Sequence, residues 1–521
     1  MNTPLPENAA APASFISRPQ ELPPVPLPPD PSDPPSPPDP ITAMTALELS
    51  AAIHARTVSC REVMQAYLTR IDRHNPAYNA LVALQDHEIS LAQADQYDRE
   101  LTDGNSRGWL HGIPQTPKDL SNAIGFVTSN GSPIFASQRA TIDSLNVARA
   151  RAEGAIIIGK SNTPEFGLGS QTFNEVYGAT RNALNPALTA GGSSGGAATA
   201  LALNLLPVAD GSDMMGSLRN PAAFNGIYGF RPSFGRVPSF PVADVFVQQL
   251  GVEGPMGRTP QDCARLLATQ AGADPRSPLS LPGDGAGFLA IANLSAGQLS
   301  DKPLAGKTIG WLGDLDGYLA TDPGLLDMIA GTLGRLESLG ARIEPITLGI
   351  NPERLWHCWL TLRQGLQGGK LAPLNNNPET RSQLKPEARW EAEQAAKASA
   401  ADFFAASTER TAWFQAALKL FEKVNFLASP TAQVFPFDLA TRWPREINGR
   451  PMDTYHRWME STIPATLGGL PAISIPAGDQ RLSPFGHSPI SPRAIAGLQL
   501  IGGPQDDAGV LTAAVAIHES R

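Results

Sequence analysis

The chain has 521 residues and a formal net charge of −9, with 42% hydrophobic and 17% charged residues. This size allows a large core in one or two domains, and the acidic balance argues against a nucleic-acid groove, which needs clustered lysines and arginines. The three cysteines lie far apart and indicate no disulfide framework or metal site, and no apolar run approaches the ~20 residues that cross a membrane, so we expect a cytoplasmic protein.

The first 40 residues contain 15 prolines and end in the run PPDPSDPPSPPDP. Proline fixes φ and removes a backbone donor, so this segment cannot form a helix or a central strand. Residues 1–40 are therefore expected to be a disordered, proline-rich tail with polyproline II character, and the folded domain is expected to span 41–521. A docking peptide for an SH3-like partner is the functional alternative for this tail.

Two N-terminal helices are predicted by capping boxes, in which a serine or threonine is followed three residues later by glutamate. Thr45 and Glu48 begin the first helix, and Ser59 and Glu62 begin the second. Apolar residues follow each pair at helical spacing, and both helices are expected before Pro76.

Further along the chain, short apolar runs alternate with helical patterns. Residues 155–158 and 472–476 are typical of buried strands, whereas 197–206 and 507–519 are typical of helices. Residues 350–425 look mostly helical and carry many aromatic side chains, most of which we expect in the core. Because strands and helices are mixed rather than segregated, the sequence predicts an α/β fold layered around a sheet.

Residues 154–161 read GAIIIGKS and satisfy the phosphate-binding pattern GxxxxGKS, but we interpret them differently. A phosphate loop turns backbone N–H groups inward, usually through small residues and glycines. Three consecutive isoleucines instead favour a buried strand, and Pro164 opposes a helix that would begin at Lys160 and Ser161. No nucleotide cofactor is therefore expected.

Residues 191–195 read GGSSG and satisfy GxSxG, the nucleophile elbow of α/β-hydrolases. In that interpretation Ser193 is the nucleophile, and a downstream acid and histidine complete the triad. The candidate histidines are His357, His456, His487 and His518. This alternative gives no function to Lys118 in residues 113–119 or to the second serine–glycine cluster, which contains Ser217.

Two serine–glycine clusters flank an apolar run in residues 191–219, and residues 113–119 (IPQTPKD) contain one lysine. This combination resembles the amidase signature family, serine hydrolases that use a Ser–cis-Ser–Lys triad. The resemblance covers nearly everything after about residue 41. It implies that Lys118 is the base, Ser193 the bridging serine and Ser217 the nucleophile, and the spacings of 75 and 24 residues match the family.

The resemblance also implies the surroundings of this triad. The fold would be a single mixed, twisted β-sheet covered by helices on both faces, with residues 41–521 as one amidase domain. The family's bridging serine follows a cis peptide bond, which here would join Gly192 and Ser193. A buried ion pair between Asp213 and Arg219 would fix the nucleophile loop. The residues expected to support the site are Gly192, Ser194, Asp213 and Arg219.

Amide hydrolysis needs a base and a place for the oxyanion as well as a nucleophile. A serine hydroxyl loses its proton as it attacks, and lysine can accept that proton only when neutral. Burial of Lys118 would favour the neutral amine by lowering a pKa that begins near ~10.4. Met215 stands where the family has a glycine, and we expect its side chain to line the acyl pocket. The expected oxyanion donors are the backbone N–H groups of Met214, Met215, Gly216 and Ser217.

The leading functional prediction is an amidohydrolase that cleaves the C–N bond of a carboxamide, aryl amide or related carbamate through a seryl acyl-enzyme. The first alternative is the A subunit of a glutamine-dependent tRNA amidotransferase, which shares the triad, and the second is a catalytically silent relative that acts as a binding module. The expected partner is a small amide, without nucleic acid, membrane, metal or cofactor, and a homodimer is compatible with the sequence. Residues 240–460, which would shape the pocket, carry no motif for a particular substrate.

Overall fold

An eight-stranded mixed sheet lies at the centre of the computed structural model, which describes residues 35–283, 285–478 and 491–520. Its strands in chain order are β1 (Val208–Asp213), β2 (Tyr228–Arg231), β3 (Val252–Gly257), β4 (Thr308–Trp311), β5 (Arg342–Pro345), β6 (Phe426–Pro430), β7 (Ala472–Gly478) and β8 (Ile495–Gly502). Their order in space is β5-β4-β6-β8-β7-β2-β3-β1. Strand β4 pairs in parallel with β5 and β6, and the other neighbours are antiparallel.

Helices account for most of the remaining regular structure in the described ranges. The first eight are α1 (Pro40–Ala43), α2 (Ala46–His54), α3 (Cys60–Tyr78), α4 (His87–Thr102), α5 (Leu145–Ala152), α6 (Gly195–Ala202), α7 (Arg219–Asn225) and α8 (Pro260–Gln270). They are followed by α9 (Ala286–Ala292), α10 (Leu325–Ser338), α11 (Pro352–Asn376), α12 (Pro378–Gln383), α13 (Pro386–Ala395), α14 (Ala400–Phe421), α15 (Ile463–Gly468) and α16 (Asp507–Glu519). Across the ranges described, none of these helices is long and apolar enough to cross a membrane.

Several short elements lie outside the central sheet. Two-residue strands pair as Leu81–Val82 with Lys160–Ser161, Pro114–Gln115 with Ile156–Ile157, Phe173–Asn174 with Gly178–Ala179, and Glu446–Ile447 with Arg450–Pro451. Single 3₁₀ segments span Pro133–Phe135, Glu165–Gly167, Ala296–Gln298, Arg457–Thr462 and Pro492–Ala494. The first two strand pairs matter most for function, because they fix the segment that carries the lysine motif.

Helices cover both faces of the sheet because successive side chains of a strand point in opposite directions. Ile473 and Ile475 of β7 pack on one face, in an apolar cluster with α8, α10 and α16. Ala472 of the same strand packs on the other face, in a cluster with α11 and α14. The predicted α/β class, with one mixed central sheet between helical layers, is confirmed.

The predicted N-terminal helices form, and both begin with the predicted capping boxes. Helix α3 nevertheless continues through Pro76 and ends at Tyr78, so the predicted end was too early. Pro76 lies in the last turn, where the loss of one N–H donor interrupts little of the helix. The helix stops where Asn79 adopts the left-handed conformation, with φ of 51°.

Other predicted elements agree with the structure in position but not always in length. The helix predicted over 197–206 is α6, which ends at Ala202 because the chain turns through Asn204, a left-handed residue with φ of 57°. The strand predicted over 155–158 is reduced to Ile156–Ile157, whereas β7 contains the whole of 472–476. Helix α16 has the predicted bounds.

Most of the tail predicted for residues 1–40 lies outside the described residues, which begin at residue 35. Residues 35–40 contact the folded domain. The side chain of Arg70 in α3 donates hydrogen bonds to the carbonyl oxygens of Ser36 and Pro37, at 3.1 and 3.3 Å. Contacts with the domain thus begin before the predicted boundary at 41, because a proline-rich segment keeps carbonyl groups that a side chain of the body can bind.

Candidate active site

The lysine motif lies on an extended segment that pairs with the segment around residue 160. Lys118 forms an isolated parallel bridge with Ser161, and its side chain is fully buried. Its Nζ donates hydrogen bonds to three serine hydroxyls: 2.7 Å to Ser193, 2.9 Å to Ser194 and 3.1 Å to Ser212. The structure therefore brings together the lysine and the bridging serine that the sequence resemblance predicts.

The surroundings of Lys118 shift its amine toward the neutral form. Burial lowers the pKa of Lys118 to about 8, although the carboxyl groups of Glu253, Asp213 and Asp210 oppose this shift. Its three nearest polar partners are neutral hydroxyls, which can accept a hydrogen bond from either form of the amine. The fraction of this amine that is neutral can accept a proton from a serine hydroxyl, and that fraction is larger than for a lysine with an ordinary pKa.

Ser193 is held by backbone contacts that leave no space for a larger residue before it. The Gly192–Ser193 peptide bond is cis, as the family resemblance implies. The Ser170 hydroxyl donates to the Gly192 carbonyl at 2.8 Å, and a Cβ atom on Gly192 would lie 2.9 Å from Oγ1 of Thr172. Glycine at 192 is thus required by close approach of the neighbouring segment, which fits its expected supporting role.

Ser217 lies in the turn that follows β1 and lines the same cavity as Ser193. Its carbonyl accepts a hydrogen bond from the Ser194 N–H at 3.1 Å, which ties the two serine clusters together. The preceding Gly216 has φ of +79°, and a Cβ atom there would lie 2.6 Å from Cγ2 of Thr462. The turn therefore requires glycine, and it presents Ser217 toward the cavity at the end of a sheet strand.

The backbone of this turn corrects one of the expected oxyanion donors. The Gly216 N–H donates to Oδ1 of Asp213 at 3.0 Å, which removes it from the expected set in this structure. The same carboxylate also accepts the Leu218 N–H at 3.3 Å, so it holds the turn through two backbone groups. Within the described residues, the N–H groups of Met214, Met215 and Ser217 have no hydrogen-bond acceptor, so these three stay as the oxyanion donors we expect.

Asp213 also anchors the turn through two buried arginines. Arg219 contacts both of its carboxylate oxygens at 3.0 Å, and Arg231 contacts Oδ1 at 3.1 Å. Burial opposes ionisation of this carboxyl, but the two guanidinium groups outweigh burial and hold the pKa of Asp213 below its usual range. The predicted ion pair with Arg219 is present, whereas the contribution of Arg231 was not foreseen.

A cavity of about 460 Å³ opens beside the serines and is walled by segments distant in sequence. Arg363 and Gln367 of α11 reach it from one side, and the side chains of both contact the sulfur of Met214, at 3.5 and 3.2 Å. Met215 lines the cavity, as predicted, but it is also 96% buried in the apolar cluster beneath, so it serves the core as well. Apolar lining residues include Leu120, Phe135, Phe166, Phe240, Val242 and Leu371.

Neither the phosphate-loop pattern at residues 154–161 nor the nucleophile-elbow interpretation of Ser193 is supported by the contacts of its key residues. Lys160, the lysine of the phosphate-loop pattern, is buried and donates to the carbonyl of Ser121 and to Thr128. Of the histidines that the nucleophile-elbow interpretation needs, His487 lies outside the described residues and the other three do not line the cavity. His456 packs among the rings of Trp356 and Trp359, and burial lowers its pKa well below the usual value.

The chain belongs to the amidase family, because the Amidase family model matches residues 62–511. One relative, the A subunit of glutamyl-tRNA(Gln) amidotransferase from Methylococcus capsulatus (strain ATCC 33009 / NCIMB 11132 / Bath), is 31% identical over 488 residues, or 88% of this chain and 92% of the relative. Its counterpart from Burkholderia cenocepacia (strain HI2424) is 38% identical over 307 residues, or 58% of this chain, which spans only 60% of that relative.

Among solved structures, a bacterial aryl acylamidase of the amidase signature family is similar to this chain. The two structures have a TM-score of 0.83 and 26% sequence identity, and the match covers 92% of this chain and 97% of the acylamidase. The family and the fold therefore agree with the resemblance that the two serine clusters and the lysine motif carry.

Ser212 and Glu253 are two further polar residues near Lys118 to which no role was assigned from the sequence. Ser212 binds Lys118 directly, and Glu253 lies opposite Ser212 in the pairing of β1 with β3. Ser212 lies in the run GSDMMGS of the second serine cluster, so its hydroxyl was a usable signal. Glu253 has no motif of its own, because the cross-strand pairing that places it cannot be read from local sequence.

Proposed function

We propose that this chain is an amidohydrolase that cleaves the C–N bond of a carboxamide or aryl amide through an acyl-enzyme on Ser217. The observation that carries the proposal is the 2.7 Å contact between Lys118 Nζ and Ser193 Oγ at a cavity that Ser217 also lines. The similarity to an aryl acylamidase and the apolar walls of the cavity support an aryl or alkyl amide as the substrate.

The proposed reaction begins with attack of Ser217 Oγ on the amide carbonyl carbon. The hydroxyl proton passes to Ser193, which gives its own proton to neutral Lys118. The carbonyl oxygen becomes an oxyanion, which the N–H groups of Met214, Met215 and Ser217 are expected to stabilise; one such donor is typically worth ~3 kcal/mol. The tetrahedral intermediate collapses as the proton returns from Lys118 through Ser193 to the leaving nitrogen, and the C–N bond breaks.

Water then repeats the sequence on the acyl-enzyme. It loses a proton through Ser193 to Lys118, attacks the ester carbonyl and releases the carboxylic acid as the proton returns to Ser217. Lys118 is neutral at the start of each half-reaction, so one base serves both. The products are an amine and a carboxylic acid, and Ser193 carries the proton in both directions.

A second candidate function is the A subunit of a glutamine-dependent tRNA amidotransferase. The names of both curated relatives support it, and one of them matches 88% of this chain. Such a protein would use the same serine chemistry on glutamine and would depend on partner subunits. The net charge of −9 gives no support for direct contact with tRNA, although such contacts could belong to a partner.

Hydrolysis by the purified chain alone separates these candidates. We expect release of aniline from acetanilide without any other protein, and no release by the Ser217→Ala variant. A chain that releases ammonia from glutamine only with partner subunits, and leaves anilides intact, would support the amidotransferase instead. A chain that is inactive in both assays but still binds amides would be the silent relative.

The nucleophile is tested separately with a fluorophosphonate probe, which reacts only with an activated serine. We expect the adduct on Ser217 in the native chain and no adduct in Ser217→Ala. Peptide mapping that places the adduct on Ser193 would reject the proposed triad and support the nucleophile-elbow interpretation.

A further inference from the structure

Glu253 is a cavity residue that the proposed mechanism does not use. It lies on β3 directly opposite Ser212 of β1, and residues that face each other across antiparallel strands share one face of the sheet. Ser212 points to the amine of Lys118, so the Glu253 side chain lies on the same side as the reacting groups. Both residues line the cavity.

The carboxyl group of Glu253 has an unused acceptor. Its Oε2 atom is buried and has no hydrogen-bond partner among the described residues. A buried acceptor without a partner typically costs ~1–3 kcal/mol, so the Glu253 carboxyl is unfavourable as it stands until a donor binds it. For the ionised form of Glu253 the missing partner is a donor, because a carboxylate can only accept hydrogen bonds.

The other two carboxyl groups near Lys118 differ in this respect. Asp210 accepts hydrogen bonds from the Lys118 N–H at 3.3 Å and from the Asn146 side chain at 2.6 Å. Asp213 is saturated by the two arginines described above. Glu253 is therefore the acidic group at this site whose binding capacity is left for a ligand.

We propose that Glu253 is a substrate-binding residue that accepts a hydrogen bond from an ammonium or other N–H donor carried by the substrate. This inference rests on the proposed function and narrows its substrate class to amides that carry such a donor beside the scissile bond. Burial and the Asp210 carboxylate raise the pKa of Glu253 to about 7, so a large share of the carboxylate form is present at neutral pH.

A substrate that carries an ammonium group would also affect the protonation of Lys118. The nearby carboxylate of Glu253 supports the charged form of Lys118, which is the form that cannot act as a base. A bound cation would neutralise the field of Glu253 and repel a protonated Lys118. Binding of a donor-bearing substrate would thus also favour the neutral base.

The test compares matched amides in which an ammonium group replaces a methyl group of equal size. One pair varies the acyl side (β-alaninamide and butanamide), and the other varies the leaving group (para-(aminomethyl)acetanilide and para-ethylacetanilide). Affinities are measured by calorimetry in the Ser217→Ala background, so that binding is read without turnover. We expect the ammonium member of at least one pair to bind ten- to a hundredfold more tightly, as a charge-assisted hydrogen bond would give.

The Glu253→Gln change in the same background should reduce this ratio to near one, and Glu253→Ala serves as the second variant if glutamine impairs folding. Gln367→Met is the matched control, because it alters an uncharged cavity residue and should leave the ratio unchanged. Ratios near one in the parent, or ratios that survive both Glu253 variants, would overturn the inference. Failure of the proposed function is recognised separately, as the absence of acetanilide hydrolysis by the native chain.

Discussion

The regions around Lys118 and Lys160 invite comparison, because they contain two buried amines on paired segments of the chain. Both side chains are fully buried, and burial lowers the pKa of each to about 8. Lys160 faces the carboxylate of Asp119 at 3.9 Å and a backbone carbonyl, and it does not line the cavity. Lys118 faces only hydroxyls within hydrogen-bond distance, and two of them, those of Ser193 and Ser212, belong to residues of the cavity wall.

This difference shows that a lowered pKa alone does not identify a base. An amine that contacts a carboxylate and a carbonyl has partners that stabilise its charge and no route to a substrate. An amine that contacts hydroxyls can exchange a proton through them. We therefore propose that Lys118 takes part in the chemistry and that Lys160 supports the fold, and the same substitution at both positions tests this proposal.

The largest expected effect is on catalysis in Lys118→Met, which removes the amine but keeps the length of the side chain. We expect kcat to fall at least ~1,000-fold, the scale seen when a triad member is lost, with the melting temperature within a few degrees of the parent. Acetanilide hydrolysis and thermal unfolding measure the two quantities. A variant that keeps more than a tenth of the activity would remove Lys118 from the mechanism.

Lys160→Met is expected to affect stability rather than chemistry. It leaves the buried Asp119 carboxylate without its cation, so the free energy of unfolding should fall by roughly 3–5 kcal/mol. Adding Asp119→Asn should recover most of this loss, because the unpaired charge is removed as well. Urea unfolding measures both variants. If Lys160→Met is stable but inactive, Lys160 takes part in catalysis and does not merely support the fold.

The sequence predicts the different roles of Lys118 and Lys160 only where the evidence lies in a local motif and not in a contact between distant segments. The family motif holds Lys118, Ser193 and Ser217 at fixed spacing, so the sequence alone is enough to propose their roles. The strand over 155–158 was enough to reject a phosphate loop at Lys160. The pairing of Lys160 with Asp119, however, depends on how two segments some 40 residues apart align, which no local pattern encodes.

The same reasoning applies to the fold and the cavity. Capping boxes predicted the starts of α2 and α3 because their signal lies within four residues. Glu253 and Arg363 reach the site through β-sheet pairing and helix packing, both of which are tertiary effects. The Gly216 N–H was misassigned for a similar reason, since the acceptor at Asp213 becomes visible only in the folded turn.

A smaller effect is expected from pH. Lys118 acts as the base only when neutral, so activity should rise about tenfold per pH unit below its pKa and level off above about 8. Glu253→Gln removes a carboxylate that raises the pKa of Lys118, so the rise should move to lower pH. The measurement is kcat on neutral acetanilide from pH 6 to 10. If the pH profile moves in Lys160→Met and stays unchanged in Glu253→Gln, then Lys160 and not Lys118 is the titrating base.

The smallest expected effects come from one hydroxyl at each lysine, Ser212 at Lys118 and Thr128 at Lys160. Ser212→Ala removes a 3.1 Å hydrogen bond to the base, and Thr128→Val removes a 3.4 Å contact to the supporting amine. One neutral hydrogen bond contributes ~1 kcal/mol to stability, so Ser212→Ala should lower the free energy of unfolding by up to that amount and, because Ser212 contacts the proposed base, should also lower kcat severalfold. Thr128→Val should lower the free energy of unfolding by ~1 kcal/mol or less and leave kcat unchanged.

These two variants sharpen the comparison because each deletes one oxygen beside a buried amine of similar pKa. Ser212→Ala should also move the pH profile of kcat, since Ser212 contacts the titrating group, whereas Thr128→Val should leave that profile where it is. Acetanilide kinetics across pH give the pH profile of kcat for each variant, and urea unfolding gives the free energy of unfolding for each. If Thr128→Val moves the pH profile as far as Ser212→Ala does, protonation of Lys160 is coupled to the reaction and the separation of chemistry from support fails.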